Sequence, residues 1–436
     1  MCSFESVAPD QLQPHKTMTK AAHEPRDIRR VADIRGRYNS AKAKPYVTLR
    51  RRITPVSSNR ITVGRIARAS ITISSAWTLA LCCSTPQPSR AQSCSALRGL
   101  KLENTTVISA QLVDSGKFVP PTMMRRASPE VFTAFSTLPA FCRVQTVARP
   151  SSDSEISIEV WLPASFWNRR YLGAGNGGFA GSINYYRLGE SLHSGFATSS
   201  TDTGHRGRST DSTWAMNHPE KQADFDYRAV HETAQTAKAL IQAFYNSAPT
   251  RAYFSSCSNG GRQGLMEAER YPTDYDGIMA GAPATHFGFK TFIAGDFAAF
   301  HKRGGKIIIY HGGNDRPEAN VDFVSSLRRR MGDSTVSSFL QLYIFPRMGH
   351  CGSGDEPNDF GQWLRPGDTP QNSLYAALEE WVEKGVAPNG VIATKFAVDG
   401  DPRSTVVKTR RICPYPRTAS RNRLGGDSSA TNYVCP

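Results

Sequence analysis

The sequence lacks the residue patterns of the commonest metal sites. None of its nine cysteines belongs to a C-x-x-C pair, and no H-E-x-x-H segment is present, although these spacings bring ligands together around zinc. The apolar run at residues 71–83 has about 13 residues, and a helix that spans a bilayer needs about 20. The sequence therefore predicts neither a metal site nor an integral membrane protein.

Acidic residues are also scarce, since 37 Asp and Glu face 53 Lys and Arg and give a formal charge of +16. This excess is local. Residues 1–91 hold 16 basic and 5 acidic residues and so carry +11 of the charge. Nucleic-acid binding through a basic surface is therefore a hypothesis for this leader only, and none is expected for residues 92–436.

The end of the leader has the pattern of a signal peptide. Arg65 and Arg68 precede the apolar run, and small residues around Ala91 follow it, as in an export signal with its cleavage site. We expect cleavage after Ala91, a disordered basic leader at 1–91 and a catalytic domain at 92–436. The mature protein is then secreted or periplasmic, with no membrane association.

The cysteine content agrees with export. Removal of the leader leaves six cysteines, which allow 15 pairings and fit a disulfide framework better than a set of reduced thiols. They are Cys94, Cys142, Cys257, Cys351, Cys413 and Cys435.

Residues 255–264 (SSCSNGGRQG) organise the chain. Residues 251–254 before them are predicted as a buried strand, and a helix is predicted to start at Gly264. A serine on a sharp turn between strand and helix is a nucleophile elbow, in which the residues two before and two after it must be small. Ser256 and Gly260 meet this requirement around Ser258.

Two later strands supply the partners that a nucleophilic serine needs. The strand at 305–310 leads to Asp315, and the strand at 342–345 leads to His350. The order Ser, Asp, His, each after a strand, is that of the α/β-hydrolase triad. Cys257 precedes the serine and Cys351 follows the histidine, so a bridge between them would link both catalytic loops covalently.

The remaining pattern predicts further elements and structural histidines. Strands are predicted at 155–163, half exposed, and at 193–200, and helices at 227–244, 320–330 and 373–384. His205, His231 and His311 are each expected to be structural, although His311 could line the site.

These segments resemble the tannase and feruloyl esterase family, which also includes mono(2-hydroxyethyl) terephthalate hydrolase. The resemblance covers most of residues 94–415. It lies in residues 175–181 (GNGGFAG), 201–205 (TDTGH), 257–264, 281–284 (GAPA), 304–315 and 349–351 (GHC).

The resemblance implies an α/β-hydrolase fold with a mostly parallel sheet and helices on both faces. It implies Ser258, Asp315 and His350 as the triad, and a disulfide between Cys257 and Cys351. It also matches local pairs Cys94 with Cys142 and Cys413 with Cys435. The backbone N–H groups of Gly178 and Asn259 are then expected to form the oxyanion hole.

One part of the family pattern is absent from the sequence. The family carries a lid domain, with its calcium loop, between the strand after the nucleophile helix and the strand before the acid. Here about 20 residues separate Pro283 from Gly304. The lid is therefore expected to be missing near 285–303, and no calcium or other cofactor is expected.

The resemblance thus predicts a secreted serine ester hydrolase that acts on feruloyl, galloyl or similar aromatic esters through an acyl-enzyme. Its partner is then a small aromatic ester. The alternative is a catalytically impaired, lidless binding protein on the same scaffold.

Overall fold

A computed structural model describes residues 93–121, 135–291, 293–421 and 429–436. The predicted leader, signal peptide and cleavage site at 1–91 lie outside the described residues. Of the helices in the described part of the chain, none combines the length and the apolar character that crossing a bilayer requires.

The strands are β1 (Thr105–Val113), β2 (Phe141–Ala148), β3 (Ile156–Pro163), β4 (Arg170–Ala174), β5 (Ala197–Thr201), β6 (Arg251–Cys257), β7 (Gly277–Gly281), β8 (Lys306–Gly312), β9 (Leu340–Phe345), β10 (Val391–Phe396), β11 (Val406–Ile412), β12 (Ser420–Arg421) and β13 (Tyr433–Val434). The α-helices are α1 (Tyr185–His193), α2 (Pro219–Ala223), α3 (Ala229–Tyr245), α4 (Asn259–Arg270), α5 (Ala298–Lys302), α6 (Glu318–Met331), α7 (Asp333–Phe339) and α8 (Leu374–Lys384). Shorter helical turns lie at Cys94–Gly99, Thr213–Ala215, Asp224–Arg228 and Ala430–Asn432.

Nine strands form the central sheet in the order β1-β2-β3-β5-β4-β6-β7-β8-β9. Neighbours are parallel from β5 through β4 and β6 to β9, and the first three pairs are antiparallel. Because parallel strands end at one edge, the loops after β4, β6, β7, β8 and β9 meet there. β10 pairs with β11, and β12 with β13, in two small separate sheets.

Alternate residues of the parallel strands enter two different cores. Ile307 and Ile309 pack with apolar residues of helices α3 to α7 on one face, and Ile308 and Tyr310 pack with α8 on the other. Both faces are therefore covered, which explains why these strands read as continuous apolar runs. The predicted α/β-hydrolase fold, a mostly parallel sheet between helices, is confirmed.

Three predicted elements need correction. The helix predicted from Gly264 begins at Asn259, because the elbow turns directly into it despite the unfavourable glycines. Residues 193–200, predicted as a strand, contain the last residue of α1 and the first four of β5. β3 is buried, not half exposed; Glu159 points into the protein because Arg143 pairs with it at 2.6 Å and Trp161 donates to it at 3.0 Å.

The crossover from β7 to β8 is short and anchored. It comprises residues 282–305, all described except residue 292, and contains only the short helix α5. The buried Asp226 carboxylate accepts hydrogen bonds from the backbone N–H groups of Phe289, Lys290 and Thr291 at 2.9, 2.9 and 3.0 Å. Asp226 therefore fixes the first half of the crossover.

Replacement of Asp226 by alanine is expected to free the crossover while the sheet stays folded. Each N–H that loses its acceptor costs about 1–3 kcal/mol if it stays buried, so the segment is expected to open to water. Hydrogen exchange followed by mass spectrometry should show faster exchange at residues 289–291. Asp322→Ala, on the exposed side of α6, is the control; equal exchange in both variants would contradict the anchoring role.

Candidate active site

Ser258 occupies the turn between β6 and α4, with φ 64° and ψ −126°. A side-chain-bearing residue rarely adopts this conformation, and it costs on the order of 1–3 kcal/mol. A Cβ atom at Gly260 would overlap the Ser256 hydroxyl, so the two positions predicted to need small residues are in contact. The backbone is therefore shaped as the elbow pattern requires.

The loops after β8 and β9 bring Asp315 and His350 together. His350 Nδ1 lies 2.6 Å from Asp315 Oδ2. The acid loop is bonded to the histidine loop through Gly313 N–H to Phe345 O at 2.7 Å and Asn314 N–H to Met348 O at 3.0 Å. The carboxylate is thus placed to hold the imidazole in one orientation.

Gly312 lets these two loops approach each other. A Cβ atom there would overlap the carbonyl oxygens of Met348 and Gly349. Any larger residue would therefore push the acid loop away from the loop that carries His350.

Three disulfides join the cysteines of the described residues, and they match the pairs that the sequence resemblance implied. Cys257 is joined to Cys351 with a Cα–Cα distance of 5.8 Å across 94 residues of chain. Cys94 is joined to Cys142, and Cys413 to Cys435. The first bridge connects the residue before Ser258 to the residue after His350, so it holds the elbow against the histidine loop.

The serine hydroxyl and the imidazole remain available for a substrate. Ser258 Oγ makes no hydrogen bond to another described residue, and the His350 side chain is 52% exposed. In unliganded hydrolases the bond from nucleophile to base is often long and shortens only when substrate binds. The structure brings Asp315 and His350 into direct contact and ties Ser258 to their edge of the sheet.

The beginning of α4 faces the predicted oxyanion position. Its first hydrogen bond runs from Arg262 N–H to Ser258 O at 3.1 Å, so the N–H of Asn259 precedes the bonded turns. The first N–H groups of a helix have no partner within it and carry its positive dipole end. Asn259 is therefore suited to stabilise negative charge beside Ser258.

Gly178 lies on the loop after β4, which is attached to α4 through Asn176 N–H to Gln263 Oε1 at 3.0 Å. Its φ is +54°, and a Cβ atom would overlap Ser209 O. Glycine is thus required here by the packing of the loop itself. Its role as the second oxyanion donor stays a prediction.

The histidines that were predicted to be structural are held by neighbouring side chains. The His205 ring stacks on Trp214 with 3.6 Å between centroids, and burial lowers its pKa to about 4. His205 is therefore neutral at pH 7 and is part of an aromatic packing group. His311, in contrast, lies beside Asp315. In the sequence, its position at the end of β8 is only a weak sign of this contact.

A group of three residues offers metal-ligand atoms within 4.8 Å of one another: His231, Glu267 and Asp274. His231 Nδ1 is 2.6 Å from Asp274 Oδ2, whereas two ligands on one tetrahedral zinc are about 3.3 Å apart. Burial, and then the Asp274 carboxylate, raise the pKa of Glu267 well above its usual range. The 2.6 Å contact between His231 and Asp274 is therefore a hydrogen bond within a structural cluster.

Aromatic side chains flank the elbow on the side of the crossover. Ala284 N–H donates to Ser258 O at 3.2 Å, and Phe287 N–H donates to Ala284 O at 2.9 Å. The Phe287 ring packs on Phe179, the neighbour of Gly178, with 4.8 Å between centroids. We call this group the aromatic cluster; its members are Phe179, Trp214, Phe225, Phe287 and Phe289.

A cavity of about 270 Å³ lies elsewhere, against α8. Two arginines of its lining are already paired: Arg170 with Glu379 and Glu383, and Arg365 with Asp359. None of the predicted site residues lines this cavity.

Comparison with known proteins identifies relatives that match most of the chain. The family model for "Tannase and feruloyl esterase" matches residues 142–295 and 292–436. An uncharacterized esterase of Xanthomonas campestris pv. campestris is 26% identical over 537 aligned positions, which cover 80% of this chain and 92% of that protein. A probable feruloyl esterase B-2 of Aspergillus terreus is 25% identical and covers 67% and 84%.

Solved structures share the fold. Feruloyl esterase B from Aspergillus oryzae matches with a TM-score of 0.69 and 22% identity, over 79% of this chain and 99% of that one. Tannin acyl hydrolase from Aspergillus niger matches with a TM-score of 0.59 and 17% identity, over 77% and 92%.

The alignment to the Xanthomonas protein extends over 537 positions, more than the 436 residues of this chain. That relative therefore contains segments without a counterpart here. The two parts of the family match meet at residues 292–295, in the crossover between β7 and β8.

Loss of the Cys257–Cys351 bridge is expected to impair the site more than the fold. The double variant Cys257→Ala/Cys351→Ala releases the elbow from the histidine loop, and hydrolysis of p-nitrophenyl acetate is expected to fall by about 10²-fold, as for a misplacement of about 1 Å. The matched control is Cys413→Ala/Cys435→Ala, whose bridge lies near the C-terminus. A parallel loss of rate and of melting temperature in both variants would show that the first bridge is only structural.

Proposed function

The chain belongs to the tannase and feruloyl esterase family of carboxylic ester hydrolases, and on that premise we propose that it hydrolyses aromatic esters through an acyl-enzyme on Ser258. The observation that carries this proposal is the 2.6 Å contact between His350 and Asp315. The loop of His350 is joined to the elbow by the disulfide Cys257–Cys351. Nucleophile, base and orienting carboxylate then belong to one framework.

In the first step Ser258 Oγ attacks the ester carbonyl carbon while His350 Nε2 takes the hydroxyl proton. The carbonyl oxygen becomes an oxyanion, which the N–H groups of Asn259 and Gly178 stabilise. Loss of one such donor typically costs about 10²–10³ in rate. The tetrahedral intermediate then collapses, His350 gives its proton to the leaving alkoxide, and the alcohol departs.

In the second step water replaces the alcohol. His350 removes a proton from the water, the resulting hydroxide attacks the acyl carbonyl, and the proton returns to Ser258 Oγ as the acid leaves. Asp315 accepts the Nδ1–H of His350 throughout and stabilises the imidazolium that forms in each step.

The aromatic cluster supports an aromatic acyl group as the substrate. Phe179 and Phe287 are partly exposed and lie on the loops on either side of Ser258. Aromatic rings stack on one another with a gain of about 0.5–1.5 kcal/mol beyond their area burial. The relatives named as feruloyl esterases and as a tannin acyl hydrolase act on esters with such rings.

We also infer that the lid insertion of the family is missing from this chain. The short crossover at 282–305, the long alignment to the Xanthomonas protein and the meeting point of the family match at 292–295 all support this inference. The site is then open to solvent on that side, and the aromatic cluster is the apolar surface that remains for the substrate.

Export from the cytoplasm is part of the same proposal. Disulfides persist in oxidising compartments and are rare in reducing ones, and all six cysteines outside the leader are paired. The protein is accordingly expected to act outside the cytoplasm.

Ser258→Ala is expected to abolish hydrolysis of p-nitrophenyl acetate, because the hydroxyl that forms the acyl-enzyme is gone. A fluorophosphonate probe, which reacts only with an activated serine, should label the wild type and not the variant. Ser353→Ala, on the exposed surface of the histidine loop, is the matched control and should label normally. Absence of labelling in the wild type would favour the alternative, a binding protein with an impaired site.

Phe287→Ala is expected to reduce kcat/KM for methyl ferulate by about 5- to 10-fold, the equivalent of a lost ring contact. Hydrolysis of p-nitrophenyl acetate, whose acyl group has no ring, should change much less. The control is Phe166→Ala in the loop between β3 and β4, where the phenylalanine is 93% exposed. Equal losses on both esters would place the aromatic group of the substrate elsewhere.

A further inference from the structure

Asp315 is in contact with a second histidine besides His350. His311 Nε2 lies 3.0 Å from the backbone oxygen of Asp315 and 3.1 Å from its Oδ2, the same carboxylate oxygen that His350 Nδ1 approaches at 2.6 Å. One N–H of His311 therefore faces two oxygens of the residue that orients the base.

The other ring nitrogen of His311 is occupied as well. Asn320 Nδ2, at the start of α6, lies 2.8 Å from His311 Nδ1 and 3.2 Å from Pro283 O. A carbonyl oxygen can only accept, so the amide nitrogen must face Pro283 and must also donate to His311 Nδ1. The ring proton is then on Nε2 and points at Asp315.

This arrangement is continuous with the elbow. Pro283 O accepts from Asn320, and the next residue, Ala284, donates its N–H to Ser258 O at 3.2 Å. A path of hydrogen bonds and one peptide unit therefore runs from the backbone of the nucleophile to the carboxylate of Asp315. It is separate from the Cys257–Cys351 bridge.

His311 itself is not placed to act on a substrate. Its side chain is 6% exposed, and both ring nitrogens already have partners. Asn320 is similarly buried, at 2%. Their contacts lead inward to Asp315 and Pro283, so any effect on a reaction is indirect.

We propose that His311 and Asn320 are positioning residues that fix the Asp315 carboxylate, and through it the imidazole of His350, in the reactive orientation. This inference rests on the proposed function of Ser258, Asp315 and His350. It adds that Asn320 imposes a single tautomer on His311, and that this tautomer determines the orientation of the Asp315 carboxylate.

The test compares His311→Leu with His311→Gln. Leucine removes both polar contacts, and kcat on p-nitrophenyl acetate is expected to fall about 10- to 100-fold with KM changed less than about 2-fold, because the acid shifts while the binding surface stays. Glutamine keeps an amide N–H near the position of Nε2 and is expected to keep kcat within about 3-fold of the wild type. Fluorophosphonate labelling rates should follow kcat.

The matched control is His231→Leu. His231 also donates to a carboxylate, that of Asp274 at 2.6 Å, and stacks on Tyr271, but it lies outside the site. It is expected to lower the melting temperature and to leave kcat unchanged. If His311→Leu does not fold, Asn320→Ala, which removes the amide donor to His311 Nδ1 and to Pro283 O, is expected to lower kcat with the circular dichroism spectrum intact.

The outcomes separate the two proposals. A wild type that neither hydrolyses the ester nor takes the probe overturns the proposed function. An active wild type with normal kcat in His311→Leu or in folded Asn320→Ala overturns the positioning role alone. The same holds if leucine and glutamine lower kcat equally and in step with melting temperature, because a purely structural histidine would behave in that way.

Discussion

The bond between Cys257 and Cys351 is the constraint on which the site depends. It joins the residue before the elbow serine to the residue after the histidine, two positions that 94 residues separate. In the chain-entropy account, closing a loop of this length in the unfolded chain stabilises the folded state by about 4–5 kcal/mol. The bridge therefore stabilises the protein at the place where the elbow and the histidine loop meet.

The disulfide alone would not determine the orientation of the Asp315 carboxylate. Asp315 is placed by the parallel sheet, by the hydrogen bonds between the loops after β8 and β9, and by the lack of a side chain at Gly312. The sheet supplies the common edge, the disulfide holds two of the three loops together, and polar contacts orient the third. These three constraints act on different parts of the site, so none of them alone determines its geometry.

Much of the fold and the site was readable from particular residues. The small residues around Ser258 predicted the elbow, and the acid and histidine after apolar strands predicted the sheet edge at which Asp315 and His350 meet. The bridge between Cys257 and Cys351 followed from their positions beside two of those residues. The sequence predicted the positions of the parallel strands because both faces of the sheet are covered, so these strands are continuous apolar runs.

What could not be read depends on contacts between distant segments. Gly260 and Gly261 argue against a helix by propensity, yet α4 begins before them. Its first turn packs so closely on Ser256 of β6 and Gly281 of β7 that only glycine fits at these two positions. The alternating pattern predicted Glu159 to face solvent, but its carboxylate is buried beside Arg143 of the neighbouring strand. Asn320 carries no local signal of its role, since its importance comes from facing His311 and Pro283 across the fold.

The crossover between β7 and β8 is fixed to the elbow and to the helix that follows it. Its first residues are bonded to the elbow through Ala284, and its next turn is held by three N–H groups on Asp226. Asp226 is itself fixed, because the fully buried Arg262 of α4 donates to its backbone oxygen at 2.8 Å. Burial lowers the pKa of Arg262 to about 10, which still leaves it charged at pH 7 and able to hold this corner. The second half of the crossover is held separately, because the Glu269 carboxylate of α4 accepts from the N–H groups of Ala294 and Asp296. Both halves of the crossover are therefore attached to the helix that follows Ser258.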